Sequence, residues 1–437
     1  MTQCKHHRIC HRDVEDNSAE GLCILHSTDP AKDTHAFTKA FDAHRERNGD
    51  DFTSFVFPET VDFRMTTFSK GVNFNSATFY KGVNFNAASF GAEASFNDAT
   101  FGAEVNFNGA RFDAAARFTT AKFNGIASFT ATTFSAMVYF MLATFSGVAH
   151  FVMAKFNGIA SFNSVTFSGV ANFSGAKFLE RADFRWATFS GRTHFAGPEG
   201  SDRTGYIFAG AEVDFRQVVI NSTDAVAFEQ ADMTKCQFQG TDLRKIRFIG
   251  IEWPRKGRRT VVYDDIARVV PADGNTRPWS QIERLYRELK QNYEDRRDYE
   301  RAGDFHYGEK EMRRQNPDTA WGLRLFLTLY WLFSGYGERY LRPLLWAGLL
   351  FVGSTIGYMW WGLRLKDGSS SLAWTYPWIN PWHWLRSAYY SFRVMTLLKP
   401  DDWVPLRYAQ LVNTFQTLLG PTFLGLFALA LRQRLKR

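Results

Sequence analysis

Four residues near the amino terminus have the types and spacing of a metal site. Cys4, Cys10, Cys23 and His26 fall as C-x5-C-x12-C-x2-H in a short hydrophilic stretch. Thiolate and imidazole donors in this number suit a closed, tetrahedral, structural zinc site. The competing view is that three reduced cysteines and a histidine-rich tail hold nothing. The close Cys23–His26 pair and the isolation of Cys236 favour zinc, with His7 and His11 as possible substitute ligands. No phosphate loop, nucleophile–base pair or paired acidic carboxylates occur elsewhere, so the chain is not expected to be an enzyme.

The elements that must position this site are read from a repeat. Of 437 residues, 43 are Phe, and from Phe52 to Phe195 they follow alternating steps of five and six without a miss. An eleven-residue period also fits a right-handed coiled coil. The Gly, Ser, Thr and Asn between the phenylalanines disfavour helix and favour turns. Each unit is therefore a short strand and a turn. Phe points inward, and so does the small residue two before it, as at Ala77, Val83, Ala88 and Ala94, because side chains alternate along an extended backbone. Four sides to a coil need 22 residues, and residues 52–195 predict six or seven coils.

Units such as ANFSG at Ala171–Gly175 and ADMTK at Ala231–Lys235 resemble those of pentapeptide-repeat proteins. The resemblance spans roughly residues 52–250 and implies a right-handed quadrilateral β-helix. The rhythm breaks at GPEGSDRTG and resumes in fives at Phe228, Met233, Phe238, Leu243 and Phe248, which predicts a final coil or cap. Cys/His segments with an ending like LCILHS also precede repeats of this kind. A helix near Asp33–Arg47, closed by Gly49, leads into the first coil.

The domain plan is a Cys/His segment and helix (1–50), the β-helix (51–250), a linker (251–278), a cytoplasmic helical hairpin (279–318), an interfacial helix (319–340) and a two-helix transmembrane domain (341–437). Ser280 and Glu283 form a capping-box signal ahead of the stripe Ile282, Leu285, Tyr286, Leu289 and Tyr293. The second hairpin helix runs around Tyr299–Arg314. Residues 343–363 carry no charge for 21 positions and residues 408–431 none for 24, each enough to cross ~30 Å of hydrocarbon as a helix. Ten of the 13 Trp lie beyond residue 320, as an interfacial belt requires. Arg339 and Arg342 before the first span and Arg432, Arg434, Lys436 and Arg437 after the second place both termini in the cytoplasm of a multi-pass inner-membrane protein. The first 30 residues are hydrophilic and hold no signal peptide.

Between the spans, WLRSAYYSFRVMTLLKPDDWVP resembles the pore helix and filter of two-transmembrane potassium channels, with Tyr390, Ser391, Thr396, Asp402 and Pro405 on matching positions. The resemblance implies a filter equivalent at Thr396, Leu397, Leu398, Lys399, Pro400, Asp401 and Asp402, and a homo-oligomer, with a tetramer favoured. Lys399, Pro400 and Asp401 replace the Gly-Tyr-Gly whose carbonyls would line a potassium filter, so that filter cannot form. Asp401 and Asp402 suit a ring that attracts cations with low selectivity. Gln410, Asn413 and Gln416 recur at three-residue steps as pore-lining candidates, or else as amides joining helix to helix.

The leading expectation is an ion-channel-like membrane protein whose cytoplasmic β-helix serves interaction or gating. The alternative is a non-conducting membrane scaffold that holds a protein partner on the β-helix. DNA mimicry, as in pentapeptide proteins that inhibit gyrase, needs an acidic rod. Residues 52–195 have 11 Lys/Arg against eight Asp/Glu, and nucleic acid is not an expected partner.

Overall fold

The computed structural model describes residues 3–6, 8, 21–198, 205–223, 225–267, 279–368, 371–372, 381–398 and 403–435. The chain divides into two compact units, Met1–Asn292 and Tyr293–Arg437.

The first unit is a β-solenoid of about eight turns, built from four parallel sheets of six to nine short strands. The register is set by the 22-residue coil: Phe57 pairs with Phe79 and Val83 with Val105. Each inward Phe stacks nearly flat on the Phe one coil away, as in Phe107–Phe129 (5.0 Å, 6°) and Phe129–Phe151 (5.0 Å, 2°). It meets the Phe eleven residues away edge-on, as in Phe118–Phe129 (5.7 Å, 85°). Both are favoured arrangements of aromatic quadrupoles. The small partners Ala77, Val83, Ala88 and Ala94 are buried beside them.

The eleven-residue period is also written in the backbone. A left-handed residue recurs at Ser54, Met65, Ser76, Ala87, Asp98, Gly109, Thr120, Ala131, Leu142, Met153, Ser164, Gly175 and Trp186, with φ between 54° and 68°. Every second corner thus carries the same strained turn, although most of these residues are not glycine. One corner does require glycine. A Cβ at Gly169 would lie 2.2 Å from the Gly147 carbonyl oxygen, and one at Gly147 would lie 2.3 Å from that of Gly125. Asparagine tethers other corners. Asn75 Oδ1 accepts from the Asn97 amide (3.0 Å), and Asn97 Oδ1 accepts from the Thr119 amide (3.0 Å).

The coil continues beyond the repeat's break, with Phe228 stacked on Phe195 and Phe248 on Phe228. Most of GPEGSDRTG lies outside the described residues. Helix α1 (Thr34–Asn48) covers the first coil. Asp33 caps it by accepting from the His35 and Ala36 amides, and Gly49 (φ 74°) ends it. Phe41 of α1 lies on Phe52 and Phe57.

Residues 251–267 are not a linker but a closing cap. Trp253 packs edge-on against Phe248, and a hairpin of Arg255–Lys256 with Arg259–Thr260 leads to α2 (Tyr263–Ile266). Buried Asp265 accepts from Tyr286 Oη (2.8 Å) and pairs with Arg259 (3.4 Å). Burial beside that carboxylate pushes the Tyr286 phenol well up. Residues 268–278 lie outside the described residues. Helix α3 is described over Trp279–Asp295, and Ser280 lies inside it. The Glu288 carboxylate accepts from the Leu243 amide (3.0 Å), and Asn292 Nδ2 donates to the Leu243 and Ile246 carbonyls. The first expected hairpin helix therefore closes the open carbonyl and amide edge of the last coil.

The second unit holds α4 (Tyr299–Gln315), α5 (Trp321–Ser334), α6 (Leu341–Trp361), α7 (Pro381–Met395) and α8 (Ala409–Leu435). Strands Leu363–Leu365, Ser371–Leu372 and Trp403–Pro405 form a small antiparallel sheet. The α6 helix and residues Ala409–Arg432 of α8 are long and apolar enough to cross a membrane.

Cutting Phe129 to Ala removes a ring that touches neighbours above, below and beside it, and should cost roughly 3–5 kcal/mol. Gly169→Ala should cost roughly 1–3 kcal/mol, because backbone must move to admit the Cβ. Thr166→Ala, on the outer face, should stay within about 0.5 kcal/mol. Denaturant melts of the three variants check the order; equal losses at Phe129 and Thr166 would break the register.

Candidate functional site

The amino-terminal cluster forms against the first coil. Cys4, Cys23 and His26 are all buried, and their Sγ and Nδ1 atoms lie within 4.8 Å of one another. His26 Nδ1 is 3.3 Å from Cys23 Sγ and 3.7 Å from Cys4 Sγ. Tetrahedral ligands on zinc, with bonds of about 2.0–2.3 Å, stand roughly 3.5–3.8 Å apart, so the donor set fits the ion. The other imidazole nitrogen, Nε2, is 3.2 Å from the Thr53 carbonyl. A carbonyl only accepts, so Nε2 is the donor in that bond, while Nδ1 faces the two sulfurs.

The His26 ring also stands edge-on to Phe55, and the Val56 amide donates to the Leu25 carbonyl (2.8 Å). The LCILH segment is thus laid on the end of the aromatic stack, holding two of the donors, Cys23 and His26, in place, and the Cys23 amide donates to Cys4 Sγ (3.3 Å). Cys10 lies outside the described residues, as do His7 and His11. His6 stacks on His26 at 4.5 Å, a neighbour that the spacing argument did not single out.

The helical unit buries polar side chains among its apolar clusters and leaves many large apolar side chains exposed. Gln416 is fully buried: its Oε1 accepts from Tyr358 Oη (2.8 Å), and its Nε2 donates to the Ser391 carbonyl (3.1 Å) and to Ser391 Oγ (2.6 Å). Ser391 Oγ donates to the Phe351 carbonyl (3.2 Å), and Tyr390 Oη donates to Asn413 Oδ1 (3.2 Å). Ser354, Thr355 and Ser387 are buried too. Leu345, Leu349, Phe415 and Leu418 are each more than 60% exposed. Of the three amides singled out in sequence, Gln416 and Asn413 join helices within one chain, whereas Gln410 is exposed.

The short helix α7 runs down between the two long ones. Tyr390 packs on Tyr358 near the end of α6, while Met395 reaches Ala347 near its start and Phe423 in α8. Gly420 makes room for it: a Cβ there would meet Met395 Cγ at 2.9 Å. Beyond α7, Thr396 Oγ1 donates to the Phe392 carbonyl (2.9 Å), and Leu397 (φ 60°) and Leu398 are exposed. Lys399, Pro400, Asp401 and Asp402 lie outside the described residues. The chain then reappears in Trp403–Pro405, paired with Leu363–Leu365, and the Leu406 amide donates to the Gly362 carbonyl (3.1 Å).

Arg324, which interrupts the apolar run of α5, is not left among apolar groups. Its Nη2 donates to the carbonyls of Asn316 (3.0 Å) and Pro317 (2.6 Å), capping the end of α4. Trp321, Leu325 and Phe326 of α5 stay exposed.

The family model for pentapeptide repeats (nine copies) matches residues 52–100, 63–111, 74–122 and 151–197. The solenoid is therefore built of pentapeptide repeats. No curated protein and no solved structure matches the chain.

Replacing Gln416 with Leu should remove the bonds that pin α7 to α6 and α8. Interhelical hydrogen bonds in membrane proteins contribute about 0.6–1.7 kcal/mol each, so unfolding in detergent should report a loss of about 1–3 kcal/mol. Gln410→Leu should be near neutral.

Proposed function

We propose that the chain is a membrane-embedded pentapeptide-repeat protein in which α6 and α8 span the bilayer and α7 is a re-entrant, pore-loop-like helix of an ion-channel-like assembly. The observation that carries this reading is the depth of α7. Its end meets Gly420, eleven residues into α8. At ~1.5 Å per residue that is about 16 Å along the helix, half of a hydrocarbon core of ~30 Å. A helix that ends at mid-depth and a chain that returns to the level of Gly362 have the course of a pore loop. The inverted polarity supports immersion in lipid, since buried hydroxyls and amides satisfy one another while leucines face outward.

In this reading the protein is a homo-oligomer, with four copies favoured, in the cytoplasmic membrane. Arg339 and Arg342 at one end of α6, and Arg432 at the end of the second span, support cytoplasmic termini. The solenoid, a right-handed quadrilateral coil, is the cytoplasmic interaction or gating domain. Residues Thr396–Asp402 converge near the axis. A Zn2+ ion held by Cys4, Cys23 and His26, with Cys10 as fourth ligand, closes the amino-terminal end of the coil and has no catalytic part.

A second reading, a non-conducting scaffold that displays the solenoid to a protein partner, is favoured by one observation. Asn413 and Gln416 are committed to bonds within a single chain rather than to water. Planar-bilayer recording separates the two. Purified protein should pass poorly selective cation current, and Asn413→Cys should make that current sensitive to a charged thiol reagent that leaves the wild type unaffected. Absence of current at every voltage and pH, with an unreactive thiol at 413, establishes the scaffold instead.

The metal assignment has its own measurement. Elemental analysis should find about one zinc per chain, and Cys23→Ser should release it and lower the melting temperature of the solenoid. Zinc-free protein prepared without chelator would remove the ion from the account.

A further inference from the structure

The turn between α5 and α6 gathers two cations without acids to match them. Gly335, Tyr336 and Gly337 are left-handed one after another, with φ of 55°, 61° and 84°. Tyr336 is buried, and its hydroxyl donates to the Glu311 carboxylate of α4 (3.0 Å). This course of the backbone brings Arg339 and Arg342 against Gly335. A Cβ there would lie 2.6 Å from Arg339 Cγ and 3.6 Å from Arg342 Nη1, so the bare glycine leaves room for both.

Both guanidinium groups rest on aromatic rings. Arg342 lies 5.1 Å from the Trp331 ring and donates to the Trp331 carbonyl (2.7 Å), and Arg339 lies 5.9 Å from the Tyr307 ring. Neither pairs with a carboxylate among the described residues. Glu311 is committed to Arg314 and Tyr336. Beyond Glu338 the acids of the sequence are Asp367, Asp401 and Asp402. Each is within two residues of Leu363–Leu365 or Trp403–Pro405, strands that pair past the far end of α6. From Arg342 to that end the helix runs about 28 Å. Arg342 also heads an apolar stripe. Leu345, Leu349, Val352 and Ile356 follow it at steps of three, four, three and four on one face of α6, each more than half exposed.

We propose that Arg339 and Arg342 bind the phosphate of an anionic phospholipid whose acyl chain lies along Leu345, Leu349, Val352 and Ile356. The inference rests on the reading that α6 spans the bilayer. A planar fork suits phosphate oxygens, and Arg342 keeps four N–H groups for them after its bond to Trp331. An anionic leaflet supplies the counter-charge that the protein omits here. A zwitterionic headgroup brings its own cation and gains less from the pair.

The test counts lipid bound to the full chain in neutral detergent by native mass spectrometry, with phosphatidylglycerol, phosphatidylcholine and glycerol 3-phosphate as probes. Phosphatidylglycerol should bind at least ten times more tightly than either of the others. Arg339→Gln with Arg342→Gln should cut that affinity at least tenfold, and Arg364→Gln, past the other end of α6, should leave it unchanged. Arg339→Gln alone, at an exposed position, should weaken binding at least threefold with unchanged melting, which keeps the result independent of folding. Equal binding of the two lipids, or a preference that survives the double substitution, would overturn the site. Glycerol 3-phosphate bound as tightly as phosphatidylglycerol would make this a free-phosphate site and overturn the lipid assignment. A separate arm addresses the span itself: the protein should stay in phosphatidylcholine vesicles through an alkaline carbonate wash. Release by that wash overturns the spanning reading and the site with it, whereas protein retained without lipid preference overturns the site alone.

Discussion

The solenoid depends on one constraint: each inward Phe of the unbroken repeat must find another Phe 22 residues away. A flat benzene ring stacks at about the spacing of neighbouring β-strands, ~4.8 Å, so an unbroken ladder of Phe lets the aromatic and backbone repeats share one step. The stacked pairs, at 4.4 to 5.9 Å, keep that step across the whole rod. Once it is fixed, the corners follow. Left-handed residues recur every eleven positions because each half-coil must turn in the same way, and glycine is needed where Gly147 and Gly169 bring successive turns into contact. The same constraint creates the need for caps, since a ladder of hydrogen bonds has two open ends. At one end stand α1 and the Cys/His segment. At the other stand Asp264, Glu288 and Asn292, whose side chains bond the last coil's amides and carbonyls.

The helical unit obeys the opposite rule. It has no continuous aromatic ladder among the described residues, and a small polar network around Gln416 ties its helices together. A fully buried glutamine with three partners is costly in a loose packing and stabilising only when all partners are in place. That network fixes the height of α7 against α6 and α8, and so fixes where the segment after α7 begins.

The solenoid was legible because its signal is repeated. Twenty-seven phenylalanines in unbroken alternation leave little room for another fold. The inward alanines, the closing coil at Phe228–Phe248 and helix α1 with its Asp33 cap also follow from local pattern. The cap at 251–267 was not legible. Pro, Gly and Arg read as linker, and only the tertiary pairing of Arg259, Asp265 and Tyr286 makes the segment buried structure. Gln416 shows a different limit. Its spacing with Gln410 and Asn413 suggested one polar face, but helix positions three and six apart drift around the axis, and α7 takes up the inner two. Of the cysteine site, Cys4, Cys23 and His26 lie within 4.8 Å of one another and Cys10 lies outside the described residues, whereas the bond from His26 Nε2 to the Thr53 carbonyl has no signal in the spacing.

The proposed pore-loop-like course requires α7 to enter the bilayer rather than lie on it. Leu385, Tyr389, Phe392 and Leu397 are all exposed along this helix and its end, and each can carry a spin label without disturbing the polar network. Depth measured in liposomes, from the ratio of collisions with oxygen to collisions with a water-soluble nickel complex, should increase steadily from 385 to 397. The ten residues of helix from 385 to 395, at ~1.5 Å each, correspond to a descent of up to about 15 Å. Four labels at one shallow depth would show a helix lying in the interface, and the re-entrant reading would fail.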